Sequence, residues 1–371
     1  MTTHTQLRPL PGRATPEGTA RFRDRFATLA PDFFREALGL HISSIGLGTY
    51  LGNADAETDR AYGETLRLAP TLGCNLIDTA INYRCQFSER VIGDALRALV
   101  AEGTVQRDEM VVCSKGGYLS FDGTPADPRA WILQTFIDPG IIGWPDIVAH
   151  NVMHPDYIRH EVEASLSNLG VETIDVYYLH NPEAQLQGLS SEQLTVRLAA
   201  CFEALEKAVA DGRIGVYGIA SWDAFRAEPG TAAALSMSAL VHAAREVAGD
   251  GHHFRVIQLP FSLGMSEAFS RPTQSLDEGP MPALESAFRL GLSVFASASL
   301  LQGRLTRLPP EFGKMLPGLT SDAQRSLQFT RSAPGIVSAL VGMKTTAHVR
   351  ENLALASRPM LSQDAFIDLF S

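Results

Sequence analysis

The chain lacks any apolar stretch approaching the roughly 20 residues that a membrane span needs. It also lacks an apolar block near its start. MTTHTQLRPLPGRATPEG offers no core for a secretory signal. Cysteine is scarce. The four present (Cys74, Cys85, Cys113 and Cys201) form no CxxC pair and read as buried or free thiols of a reducing compartment, by default the cytoplasm. There is no basic block either. The net charge is −10 and the 31 Lys and Arg are scattered, which argues against a nucleic acid or an anionic membrane surface as partner. Apolar residues are not lacking. They make up 45% of the 371 positions, enough for a full-sized core, and no segment has the composition of disorder.

What is present is alternation. Eight short runs rich in Val and Ile recur: SIGLGT (44–49), NLIDTA (75–80), MVVCSK (110–115), IDVYYLH (174–180), RIGVYGIA (213–220), FRVIQLP (254–260), LSVFASA (292–298) and IVSALVG (336–342). Longer stretches of helical period separate them. SERVIGDALRALVAEG is expected to start at Ser88 as N-cap, and DYIRHEVEASLSNLG follows Pro155 with Asp156 near its start. Apolar strands each followed by a helix mean a parallel sheet covered by helices, and eight units predict a closed (β/α)8 barrel over 41–371. The competing arrangement is a doubly wound open sheet. Residues 1–40 read as an N-terminal extension, turn-rich at first and then, in RFRDRFATLAPDFFREAL (21–38), helical in spacing but broken by Pro31. The gaps 116–153 and 299–335, after the third and seventh strands, exceed ordinary loops, and the first is expected to be a lid.

GLGTYLG (46–52) imitates a dinucleotide loop, but a polar stretch rather than a helix follows it, so its glycines are expected at tight turns. HNVMH (150–154) pairs two histidines at i, i+4 between Pro145 and Pro155, short of the ligands a metal site needs. His252 and His253 read as a solvated turn. In the 116–153 insertion, Tyr118, Phe121, Trp131, Phe136 and Trp144 are expected either to line an apolar pocket or to pin the insertion to the barrel.

Barrel active sites lie at the C-terminal strand ends. There the second run ends at Asp78, with Tyr83 five positions on, the third at Lys115 and the fourth at His180. The sixth carries Gln258. A phenol beside an ammonium becomes a stronger acid. Lys115 would tune Tyr83, Asp78 would hold Lys115, and His180 would orient a substrate oxygen. Such a set suits protonation of a carbonyl oxygen as charge develops on it. No side chain supplies electrons, so a hydride donor is implied, usually a nicotinamide.

These segments, taken in order, resemble the aldo-keto reductases of bacterial type: GCNLIDTAINYR with SERVIGDALR, VVCSKGG, SLSNLGVETIDVYYLHNPE, DGRIGVYGIA and GMKTTAHVREN, over most of 41–356. The resemblance implies an NADP(H)-dependent barrel enzyme, with NAD(H) the alternative cofactor, acting on an aldehyde, ketone or aldose. It makes Tyr83 the proton donor, Asp78 and Lys115 its tuners, and His180 the substrate-orienting residue. It gives Gln258 the nicotinamide carboxamide. SASLLQGRL would close over the pyrophosphate through Leu300, Gln302 and Gly303. Gly342, Lys344 and Thr345 would meet the adenosine 2′-phosphate, with Glu351 and Asn352 at the adenine. Four positions depart from the family pattern, and three of them, Ser221, Ser297 and His348, are still expected to touch the cofactor. Ala220 and Ser221 stand where a Ser-Asn pair is usual, Ser297 where an aromatic often stacks, and His348 where many members carry arginine. The rival expectations are a non-catalytic nicotinamide-binding subunit on the same barrel and a barrel lyase or isomerase that uses the same Lys and Tyr without a redox cofactor.

Overall fold

A computed structural model describes residues 8–231 and 233–370. Eight parallel strands close into a barrel: β1 (Ile45–Gly48), β2 (Leu76–Asp78), β3 (Val111–Gly116), β4 (Ile174–His180), β5 (Ile214–Ala220), β6 (Phe254–Pro260), β7 (Ser293–Ser297) and β8 (Ile336–Gly342). Spatial order follows chain order, and β8 returns to β1 through Ala339 opposite Ile45. Seven of the eight strands fall within the apolar runs and β3 passes the end of its run by one residue, Gly116, while helices cover the outside as in a (β/α)8 barrel.

Period-two alternation decides what faces the barrel axis. Leu76, Val111, Cys113, Val176, Tyr178, Val256 and Phe295 pack into one interior cluster. Two residues further along the same strands come Asp78, Lys115, His180, Gln258 and Ser297. The polar set therefore takes inward positions at or near the C-terminal ends of five strands, raised on an apolar floor. Gly46 lies in this interior rather than at a turn. A Cβ there would stand 2.8 Å from Leu340 and Leu76 side-chain atoms. Of the GLGTYLG glycines, Gly52, at φ 110°, has turn geometry.

The N-terminal segment departs from the expected helix. A helix covers only Pro16–Asp24, capped by Thr15, which accepts the Gly18 N–H at 2.9 Å. The apparent helical spacing around Phe33–Ala37 becomes strand. Phe34–Ala37 pairs antiparallel with Leu40–Ser43, because Leu38 and Gly39, at φ 57° and 73°, close a two-residue turn. This hairpin runs across residue 40, and Leu40 and Ile42 plug the bottom of the barrel interior. Residues 1–7 of the expected extension lie outside the described residues.

Ser88 is not a cap. The helix Phe87–Ala101 starts one residue earlier, after Gln86 at φ 74°, and Ser88 Oγ instead donates to the Thr49 carbonyl at 2.9 Å. The helix Pro155–Leu169 begins with Pro155 in its first turn, and His154 of HNVMH is its cap. His252 is buried beside Arg255, and His253 pairs with Glu206 at 2.7 Å, so the expected solvated turn is a packed corner. The 116–153 insertion holds a short helix (Pro128–Ile132) and a small hairpin (Ile147–Val148 with Asn151–Val152). The 299–335 gap holds two short helical turns and then the barrel helix Asp322–Ser332. Among the described residues, no helix is long and apolar enough to cross a membrane.

Candidate active site

A cavity of about 860 Å³ opens at the C-terminal ends of the strands. Lys115 is fully buried beneath it. Its Nζ donates to Asp78 Oδ2 at 2.6 Å and to the Thr79 carbonyl at 2.7 Å. The other Asp78 oxygen accepts from Gln258 Nε2 at 2.8 Å. Lys115 Nζ stands 5.1 Å from the centre of the Tyr83 ring, and that ring meets the His180 imidazole edge-on at 5.9 Å.

Burial pushes the Lys115 amine down, but the Asp78 charge and its hydrogen bond, with Tyr83, outweigh this and leave it above its ordinary value. Lys115 is therefore a fixed cation. Burial first, and then Lys115, hold His180 well below the usual imidazole range, so its ring is neutral. Tyr83 differs from expectation. Burial raises it above the ordinary phenol value, Lys115 pulls it down, and Asp78 pushes it up again. Lys115 arrives with its counter-ion, so Asp78 opposes its tuning of the phenol.

The segment carrying Tyr83 is held in a rare backbone form. Arg84, Cys85 and Gln86 sit in succession at φ 52°, 55° and 74°, none of them glycine. Arg84 secures it. Its side chain is buried, donates from Nε to the Asn53 carbonyl at 2.8 Å, pairs with Asp59, and lies over the Tyr62 ring. A strained turn kept this way sets the direction of the neighbouring phenol.

Tyr83, Asp78, His180, Gln258, Ser297, Leu300, Gln302, Gly303, Gly342, Lys344, His348, Glu351 and Asn352 all line this one cavity. Ser221 and Thr345 do not. Ser221 Oγ donates to Glu183 and accepts the Ala224 N–H, each at 2.8 Å, so it braces its own loop. Thr345 accepts the His348 N–H at 3.3 Å as a helix cap. Sequence reasoning missed Tyr50, Asn82, Asn181 and Trp222 in the wall. Three of these follow a strand end by one or two residues, and Asn82 immediately precedes Tyr83. That spacing was the available signal.

Of the insertion aromatics, only Tyr118 lines the cavity. Phe121, Trp131 and Phe136 form a ladder, with ring centres 5.2 and 5.3 Å apart, that ends on Tyr157 of a barrel helix. They pin the insertion. Trp144 lies outside, with Arg129 over its ring. Cys85 is half-buried beside the site. Among the described residues, no group of three His, Cys, Asp or Glu side chains could hold a metal ion.

Residues 44–236, half of the chain, match the Aldo/keto reductase family. The chain belongs to that family. It is 32% identical over 188 residues to D-threo-aldose 1-dehydrogenase of a Pseudomonas species, covering 50% of this chain and 52% of that protein. It is 29% identical over 188 residues to the NADH-specific methylglyoxal reductase of Escherichia coli K12, covering 49% of each. The chain thus spans about half the length of the curated relatives it matches. Among solved structures, an aldo-keto reductase from Bacillus halodurans in its holo form superposes with a TM-score of 0.61 at 19% identity, over 89% of this chain and 93% of that one. An aldo/keto reductase from Klebsiella pneumoniae, in complex with NADP and acetate, gives 0.60 at 22%, over 92% and 94%. At such identity these two speak to the barrel fold.

Proposed function

We propose that this aldo/keto reductase interconverts a carbonyl and an alcohol, with NADP(H) as cofactor and NAD(H) as the alternative. One observation carries the reading. A fixed ammonium, its carboxylate partner, a protonated phenol and a neutral imidazole meet at the floor of one cavity. Family membership supports it, and so do the names of the two relatives, one an aldose dehydrogenase and one a methylglyoxal reductase.

The cavity wall fits a dinucleotide. Asn352 Oδ1 is buried in it without a partner among the described residues. Ala298, Leu301 and Gln302 hold positive φ with no glycine to help, which shapes a loop whose backbone Gly303 completes. Exposed Lys344 and His348 stand at the start of the helix Thr346–Leu353, where an anion is stabilised by the backbone N–H groups. Lys344 favours the 2′-phosphate of NADP(H). The cofactor, when bound, supplies the hydride.

The protein side of the reaction is proton handling. Tyr83, protonated at neutral pH, gives its proton to the carbonyl oxygen as negative charge builds there. Lys115 remains charged and stabilises the phenolate left behind. Neutral His180 donates one hydrogen bond to the same oxygen and fixes its direction. We place the protein in the cytoplasm on its four unpaired thiols.

The test follows NADPH and NADH absorbance with a panel of aldehydes, ketones and aldoses, run beside Tyr83→Phe. Turnover that drops by about 10²–10⁴-fold in the variant, with cofactor binding kept, is the expected result. Cofactor binding without turnover of any substrate would favour the non-catalytic subunit.

A further inference from the structure

Tyr118 stands two residues past the end of β3, in the cavity wall. Its ring meets His180 edge-on, with centres 5.1 Å apart and planes at 85°. His180 thus has two phenols as neighbours, Tyr83 and Tyr118.

The hydrogen bonding of the second phenol is incomplete. Asn181 Nδ2 donates to the Tyr118 oxygen at 3.2 Å. An amide nitrogen only donates, so the phenol oxygen is the acceptor there and its own hydrogen is left over. Among the described residues, nothing accepts that hydrogen. Burial raises the Tyr118 pKa, Asn181 partly opposes this, and the group stays a neutral donor.

The ring is also held in place. The Tyr118 backbone bridges to Asn151 of the insertion hairpin, and its carbonyl accepts the Tyr157 O–H at 2.8 Å. On either side, Val152 N–H donates to the Gly117 carbonyl at 2.6 Å and Leu119 N–H to the His150 carbonyl at 2.9 Å. The fully buried Asn151 then donates from Nδ2 to the His180 carbonyl at 2.8 Å. One amide ties the insertion to the segment bearing both His180 and Asn181. The donor is therefore preorganised, and no loop has to be ordered before it can act.

A carbonyl oxygen has two lone pairs. On the reductase reading above, Tyr83 and His180 fill both. Tyr118 is half-buried, so its hydrogen is open to solvent and, when the site is occupied, to a different atom of the occupant. We propose that Tyr118 is a specificity-determining residue whose hydroxyl donates to a second oxygen of the substrate, close to the reacting carbonyl, and so favours hydroxylated aldehydes over bare alkanals. A site built to bond a substrate hydroxyl discriminates against the analogue lacking it, because its own polar group is left unpaired.

Glyceraldehyde and propanal share a three-carbon aldehyde chain and differ in hydroxyls. The experiment measures kcat and KM for both, with NADPH, in the wild type and in Tyr118→Phe. The phenyl ring is kept, so packing against His180 is kept. The expected result is a wild-type preference for glyceraldehyde that falls about tenfold in the variant, mostly through the KM for glyceraldehyde. A preference that moves by less than about twofold, or two substrates that weaken together, overturns the assignment, since purely structural damage would act on both. A wild type that turns over no aldehyde with either cofactor overturns the reductase reading and this inference with it.

Discussion

Gln258 Nε2 lies 2.8 Å from Asp78 Oδ1, on the carboxylate whose other oxygen holds Lys115. The glutamine expected to serve only a cofactor is thus also part of the ion pair beneath the phenol. Replacing it with leucine strips one donor from a buried carboxylate. An unmet buried acceptor costs about 1–3 kcal/mol. We expect Gln258→Leu to lower kcat about tenfold as Asp78 turns away from Lys115, as well as weakening cofactor affinity. Stopped-flow rates and fluorescence titration of NADPH separate the two effects. An unchanged single-turnover rate would mean that Asp78 does not depend on Gln258.

The pH profile of reduction follows from two shifts of opposite sign. Tyr83 acts in its protonated form, and burial raises its pKa, so activity is held through neutral pH and lost only as pH climbs past the ordinary phenol range near 10. His180 acts in its neutral form, and burial lowers its pKa well below 6.5. No acid limb is then expected near pH 6–7. Measuring kcat/KM for reduction from pH 5 to 11 checks both. A limb centred near 6.5 that vanishes in His180→Gln would show a charged imidazole taking part.

Stability carries its own pH signature. Glu89 and Glu161, both fully buried, hydrogen-bond to Ser114 and Ser120 at 2.6 and 2.9 Å, and burial raises both carboxyl groups. A carboxyl with a raised folded pKa adds stability below its unfolded value near 4.3, and this is lost as pH rises toward the folded value. Glu161→Gln removes that loss while keeping an acceptor for Ser120. We expect the variant to melt a few degrees above the wild type at pH 8, with the gap closing toward pH 4.5, by calorimetry.

Lys344 offers the sharpest check on cofactor choice. Lys344→Ala is expected to raise the KM for NADPH about tenfold and to move that for NADH much less, with the NADPH effect fading at high salt because the site is exposed. Equal effects on both cofactors would separate Lys344 from the 2′-phosphate.

Much of the barrel is legible in the sequence because two simple patterns coincide. Each strand is a short apolar run, and inward parity places Asp78, Lys115, His180 and Gln258 on one floor. What the sequence hides depends on chain segments that meet only in the fold. Ser221 looks like a free hydroxyl until Glu183, 38 residues earlier, takes it. Thr345 looks like a ligand until the next turn claims it as a cap. The residues around Phe34 carry helical spacing, but the Leu38–Gly39 turn folds them back as strand. Tyr118 gains its place from Asn151, which HNVMH hides between two more conspicuous histidines.

The hairpin beneath the barrel has a consequence for traffic. Leu40 and Ile42 close the lower end against a filled interior, so among the described residues the barrel is stopped at that end and the cavity opens at the other. Whatever enters to react must depart by the route it took, past the same aromatic sill of Tyr50, Tyr118 and Trp222. Arrivals and departures then share that threshold, and a wider or narrower sill is expected to change the pace of the whole cycle without touching the chemistry below.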